Sequence, residues 1–160
     1  MKADPREPVI SFALRPIGEI RSPIKKPGDA PFQGALSDVV AEVVLDPAYV
    51  DGLKGMSERV NPSWVNSLPD DRHRRQAKIV VLCWMHGAER ERLLVHPRGD
   101  TNRGLRGVFA TRSPHRPNPI SLHTVTLLEI RGNVLRVRGM DAIDGTPVID
   151  IKPHAPELDG

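Results

Sequence analysis

Hydrophobic positions along this chain recur every second residue, not every third or fourth. Val39, Ala41, Val43 and Leu45 share one face of a predicted strand. In Val134–Arg138, Leu135 and Val137 point one way and Arg136 and Arg138 the other. That segment follows Leu122–Ile130 across Arg131-Gly132-Asn133, which predicts a hairpin with a glycine turn. Ala77–Trp84 is a near-continuous β-branched and apolar run. It reads as a central strand buried on both faces. Phe12–Ser22 reads as a first strand, made an irregular edge or bulge by Pro16 and Gly18. Gly107–Thr111 and Val148–Ile151 complete a set of about seven short strands. The pattern implies a mainly β chain with little helix, an antiparallel barrel or sandwich.

Proline sharpens this picture. The chain has 16 prolines, spread from end to end, and each removes a backbone donor and breaks helix interiors. One short helix is predicted over Pro47–Leu53, with Asp46 as N-cap and Pro47 at its first position. Residues 1–10 read as a disordered leader ahead of a single domain over 11–160. Residues 23–37 form a long loop, and loops of that length are often functional. Residues 57–76 are polar and proline-broken and read as a mobile loop. A doubly wound sheet is excluded by the absence of strand–helix alternation, and no glycine-rich dinucleotide fingerprint is present.

At 160 residues the chain suits one domain with a true core. No apolar run reaches the roughly 18 residues needed to span a membrane, and no signal-peptide pattern opens the sequence. A cytoplasmic location is expected. The single cysteine, Cys83, sits in an apolar run and reads as a small core residue. It rules out an internal disulfide, and the histidines show no metal-ligand spacing, so no metal is expected. Net charge is only +3, but residues 72–116 carry 11 Lys+Arg against 3 Asp+Glu. One basic segment on an otherwise acidic chain suits a polyanion or an anionic ligand, and equally a solvated face. Aromatics are too scarce for a general base-stacking single-strand binder.

Candidate chemistry concentrates in a few places. Arg112-Ser-Pro-His-Arg-Pro-Asn-Pro119 is a stiff loop carrying two arginines, His115 and Asn118. Arginine offers a planar fork to carboxylate or phosphate, and asparagine offers both a donor and an acceptor. The same loop also fits a rigid connector with solvated charges. Asp141-Ala-Ile-Asp144-Gly145-Thr-Pro147 marks a turn, and its two carboxylates suit an ammonium or a sulfonium. His86 ends the buried strand, where function often sits and where a structural histidine is commoner still.

Phe109–Ile120, Pro16–Pro23 and Asp144–Pro153 together resemble the motifs of the TsaA-like proteins, also called YaeB- or TrmO-like, in the family's order across residues 12–156. The resemblance implies a single antiparallel β-barrel domain, S-adenosyl-L-methionine as cofactor and a homodimer with its site near the subunit interface. It further implies N6-methylation of threonylcarbamoyladenosine beside the anticodon of tRNA. The family's Pro-Arg-Gln cofactor loop falls on Pro31-Phe32-Gln33, with phenylalanine replacing arginine. Its His-Gln step falls on His86-Gly87, its loop arginine on Arg112, and its late Asp-x-x-Asp-Gly on Asp141, Asp144 and Gly145. Leu122 is a further cofactor candidate. Arg112, Asn118 and Asp144 are the candidate catalytic residues, and His115, Arg116 and Asn118 the candidate substrate residues. Two other readings stand beside this one: the same cofactor with a different small substrate, and a basic barrel that binds RNA without chemistry.

Overall fold

The computed structural model describes residues 11–30, 38–56, 58 and 77–155. Among the described residues six strands close into an antiparallel barrel, beginning with β1 (Gly18–Arg21), β2 (Val40–Leu45) and β3 (Lys78–Trp84). A two-stranded ribbon of β4 (Leu94–Val95) and β5 (Arg106–Gly107) stands apart from it. The barrel resumes with β6 (Ile120–Arg131), β7 (Val134–Arg138) and β8 (Pro147–Pro153). Around the barrel the order is β1-β2-β7-β6-β3-β8, with β8 returning to β1. Closure removes the unpaired edges that an open sheet of this size would expose. The expected mainly β antiparallel barrel is therefore the observed architecture.

Period-two alternation fills the interior. Ile20, Ala41, Val43, Leu45, Ile79, Val81, Cys83, Val125, Leu127, Leu135, Val137 and Val148 form one buried cluster. Each fully buried Val, Leu or Ile contributes ~1.5–3 kcal/mol relative to exposure. Bulges bend the wall: Leu128 is skipped in the pairing of β6 with β7, and Ile149 in that of β8 with β3.

Several expectations change. The first strand runs only from Gly18 to Arg21, with Phe12 85% and Leu14 47% exposed ahead of it. Pro16 has no N–H to give a ladder, so pairing begins where Ile17 donates to Val148. β1 is also no edge, since β2 and β8 flank it. Gly107–Thr111 is not a strand. Only Arg106–Gly107 pairs, and Val108–Ala110 is a 3-10 turn. Pro47–Leu53 is helical as predicted but 3-10, with Asp46 capping the Ala48 N–H at 2.8 Å. β3 is central, between β6 and β8; Ile79, Val81 and Cys83 point inward and are buried, and on its other face Val80 is buried while Leu82 and Trp84 are half-buried. The turn expected at Asp144-Gly145 is present, and it joins β7 to β8, which are not neighbours in the barrel. Residues 1–10 and all of 57–76 except Glu58 lie outside the described residues.

Register decides what the barrel presents at each end. Arg21 pairs with Glu42, Val40 with Arg138, Trp84 with Ile120 and Cys83 with Val148. The C-terminal ends of β1, β3 and β7 and the N-terminal ends of β2, β6 and β8 therefore share one rim. That rim carries the segments holding His86, residues 108–119 and the Asp141–Gly145 turn.

Candidate functional site

Asp141–Gly145 enters the rim from β7. Ile143 and Thr146 close the turn with a Thr146 N–H to Ile143 carbonyl bond of 3.1 Å. Gly145 takes φ 76° at its third position, the left-handed value such a turn demands. Its N–H donates to the Ile20 carbonyl at 2.7 Å, which pins the turn against β1. Asp144 bonds just beyond, to the segment that follows β1. Its carboxylate accepts from the Ser22 N–H at 2.9 Å and from Lys25 Nζ at 2.8 Å. The Lys25 contact, then the Ser22 N–H, holds its carboxyl below the usual value. Asp144 thus fastens the start of the long loop after β1.

The opposite part of the rim is cross-tied. Arg90 donates through Nε to the Pro117 carbonyl at 3.0 Å and lies 5.6 Å over the Trp84 ring. The Glu89 N–H donates to His115 Nδ1 at 3.0 Å, and the Met85 N–H to the Pro119 carbonyl at 2.8 Å. Arg116, offered to substrate by the sequence, gives its guanidinium to the carbonyls of Ser113, Val108 and Thr111 at 3.1, 3.0 and 2.8 Å. It shapes the loop from within. Among the described residues, the side chains of Arg112, Asn118 and His86 make no hydrogen bond or ion pair, and all three residues are exposed. Leu122 is 54% exposed on the outer wall of β6. Pro31, Phe32 and Gln33 lie outside the described residues.

One polar chain lies where the barrel should be apolar. Ser121 and His123 occupy inward registers of β6, opposite Cys83 and Val81. His123 Nδ1 is 2.6 Å from Asp141 Oδ1, and its Nε2 is 2.8 Å from Ser121 Oγ. Ser121 Oγ also reaches the Cys83 carbonyl at 3.4 Å. Burial first, and the Asp141 charge second, push the Cys83 thiol up to about 12. The sequence reading missed Ser121 and His123. The sign was there: two polar side chains sit at successive inward positions just before Val125 and Leu127.

Beside the Asp144–Gly145 turn, a groove of about 650 Å³ runs over the outer face of β1, β2 and β7. Glu19, Arg21, Lys25, Glu42, Arg136 and Asp144 line it, so both signs of charge are present. Among the described residues, no group of His, Cys, Asp and Glu is placed to hold a metal ion. No helix among them is long and apolar enough to cross a membrane.

An Archaeoglobus fulgidus S-adenosyl-L-methionine-binding protein is 47% identical over 146 residues, covering 91% of each chain. A probable S-adenosyl-L-methionine-binding protein of Methanothermobacter thermautotrophicus is 45% identical, over 94% of this chain and 95% of the relative. The crystal structure of TrmO from Pseudomonas aeruginosa superposes with a TM-score of 0.69 at 29% identity, covering 94% of this chain. This chain spans 59% of that TrmO chain. Residues 72–160 match the sequence profile of the tRNA-methyltransferase O N-terminal domain. That match takes in β3, the cross-tied loops, the polar chain of β6 and the Asp141–Gly145 turn, and on it the chain belongs to the tRNA-methyltransferase O N-terminal domain family.

Proposed function

We propose that this domain binds S-adenosyl-L-methionine at the rim and transfers its methyl group, with N6 of threonylcarbamoyladenosine in tRNA as the acceptor. The observation that carries this reading is convergence. Motifs separated by tens of residues (His86, Arg112 and Asn118, Asp141 to Gly145) stand on segments that leave or enter one end of the barrel.

The donor set fits the ligand's chemistry. Its amine and sulfonium are cationic and suit the partly exposed Asp141 carboxylate. Its carboxylate suits Arg112, whose guanidinium has no partner among the described residues. The groove beside Asp144 offers both signs to a zwitterion. Asp144 acts by holding the loop that leads to Pro31, Phe32 and Gln33, through Ser22 and Lys25. Bound there, S-adenosyl-L-methionine supplies a methyl group on a good leaving group, so the protein has mainly to align and to exclude water. The acceptor N6 adjoins a carbonyl, which makes its proton more acidic than an amine's and lightens the demand for a strong base. Asn118 and His115 line the same loop and would orient the base, while Arg116 keeps that loop in shape.

A homodimer belongs to the same reading. Phe109 is 82% exposed, Leu94 56%, Leu122 54% and Ile120 40%, an apolar set beside the rim that a second copy would cover.

The test is calorimetric titration with S-adenosyl-L-methionine, followed by methyl-transfer assays on tRNA carrying or lacking the threonylcarbamoyl group. Binding with turnover only on the modified tRNA supports the full reading. Binding without tRNA turnover favours a different small substrate, a reading supported by Phe32 standing where the family's cofactor loop has arginine. Salt-sensitive RNA affinity without cofactor binding would leave a non-catalytic RNA-binding barrel.

A further inference from the structure

We propose that His123 is a positioning residue: locked between Ser121 and Asp141, it sets the orientation in which the Asp141 carboxylate meets a ligand at the rim. The inference rests on reading the rim as an S-adenosyl-L-methionine site.

The barrel interior makes His123 conspicuous. Its inward neighbours along β6, Val125 and Leu127, are buried and apolar. An imidazole in their company costs desolvation unless its nitrogens are bonded. Both are: Nδ1 lies 2.6 Å from Asp141 Oδ1 and Nε2 lies 2.8 Å from Ser121 Oγ. A carboxylate only accepts, so Nδ1 carries the proton, and the ring has one orientation and no freedom to turn. The side chain of His123 is 9% exposed and that of Asp141 is 29% exposed. The ring therefore lies beneath and the carboxylate reaches upward. With both nitrogens engaged and the ring buried, His123 has no atom to offer a ligand. Its influence passes through Asp141, as the outer partners of metal-binding groups act through the ligands they orient.

The geometry also separates this role from simple space filling. A valine at 123 would continue the apolar interior and remove the His123 contact to Asp141. Asparagine would keep a donor near the place of Nδ1, and glutamine would place its donor nearer to Nε2. The three replacements thus differ in the Asp141 contact while all remaining close in size to histidine or smaller.

The experiment is calorimetric titration of the full chain with S-adenosyl-L-methionine, with thermal melting of each variant as a control on folding. His123→Val and His123→Gln are expected to weaken binding roughly tenfold. His123→Asn is expected to recover most of that loss. In an Asp141→Asn background the valine change is expected to add nothing further, because coupled neighbours are non-additive. Wild-type affinity in a folded His123→Val or His123→Gln protein overturns the proposal. So does an equal loss in the asparagine and glutamine variants, which would make the histidine only structural. If the wild-type protein itself shows no binding, the cofactor reading falls and this one with it.

Discussion

Single residues set hard limits in this barrel. A Cβ on Gly18 would overlap the Val44 carbonyl oxygen and lie 2.8 Å from Leu45 Cα, all backbone of the paired strand. Neither atom has a side chain's freedom to move. Gly18→Ala is therefore expected to destabilise the fold by about 1–3 kcal/mol, read as a lower denaturation midpoint. A variant as stable as the wild type would mean that β1 and β2 part more easily than their pairing indicates. Cys83 gives a second expectation. With its thiol raised from 9.0 to about 12, the thiolate fraction at neutral pH falls by roughly a thousandfold. Folded protein is expected to resist iodoacetamide and to react on denaturation. Alkylation at equal rates in both states would show that the interior near Cys83 opens readily.

At the scale of elements, the loops are held by a few ties that span long sequence separations. Asp144 joins Ser22 across 122 positions. Its folded carboxyl titrates below the ordinary 3.8, through Lys25 first and the Ser22 N–H second. A lowered folded value means the contact stabilises fully above the ordinary pKa and is lost as pH falls through the lowered one. Acid is thus expected to free the Ser22 amide to exchange, and Asp144→Asn to increase that exchange at neutral pH. A Ser22 amide equally protected in both proteins would show that the loop is fastened elsewhere.

The ties also explain what was legible in the sequence. Strands with period-two apolar faces, such as β2 and β7, were readable because their pattern is local. The turn at Gly145 was readable for the same reason. What the sequence did not disclose depended on partners far away. Arg116 looked like a ligand's arginine until the carbonyls of Val108, Thr111 and Ser113 surrounded it. Ser121 and His123 had no visible role until register placed them beneath Asp141. The strand expected at Gly107–Thr111 failed because two apolar residues there serve a 3-10 turn, with Val108 buried and Phe109 exposed.

For the whole molecule, the apolar surface is unevenly spread. Leu93, Leu94, Leu105 and Phe109 lie in or beside the ribbon, and Ile120 and Leu122 stand at the start of β6, each at least 40% exposed. Water contact at so many large side chains near one rim is unfavourable for a lone protomer. A second copy of the chain, placed over them, would bury this surface and bring its own rim loops near the first. Such pairing by a two-fold axis makes each substitution count twice, once in each subunit. Phe109→Asp and Leu122→Arg are therefore expected to yield monomers by sedimentation while leaving the melting behaviour of the barrel core little changed. If the site draws residues from both subunits, Phe109→Asp also loses S-adenosyl-L-methionine affinity, although Phe109 is not among the cofactor residues. Monomers that bind as the wild type does would place a complete site within one chain. A wild-type protein that sediments as a monomer would leave the apolar set for another partner.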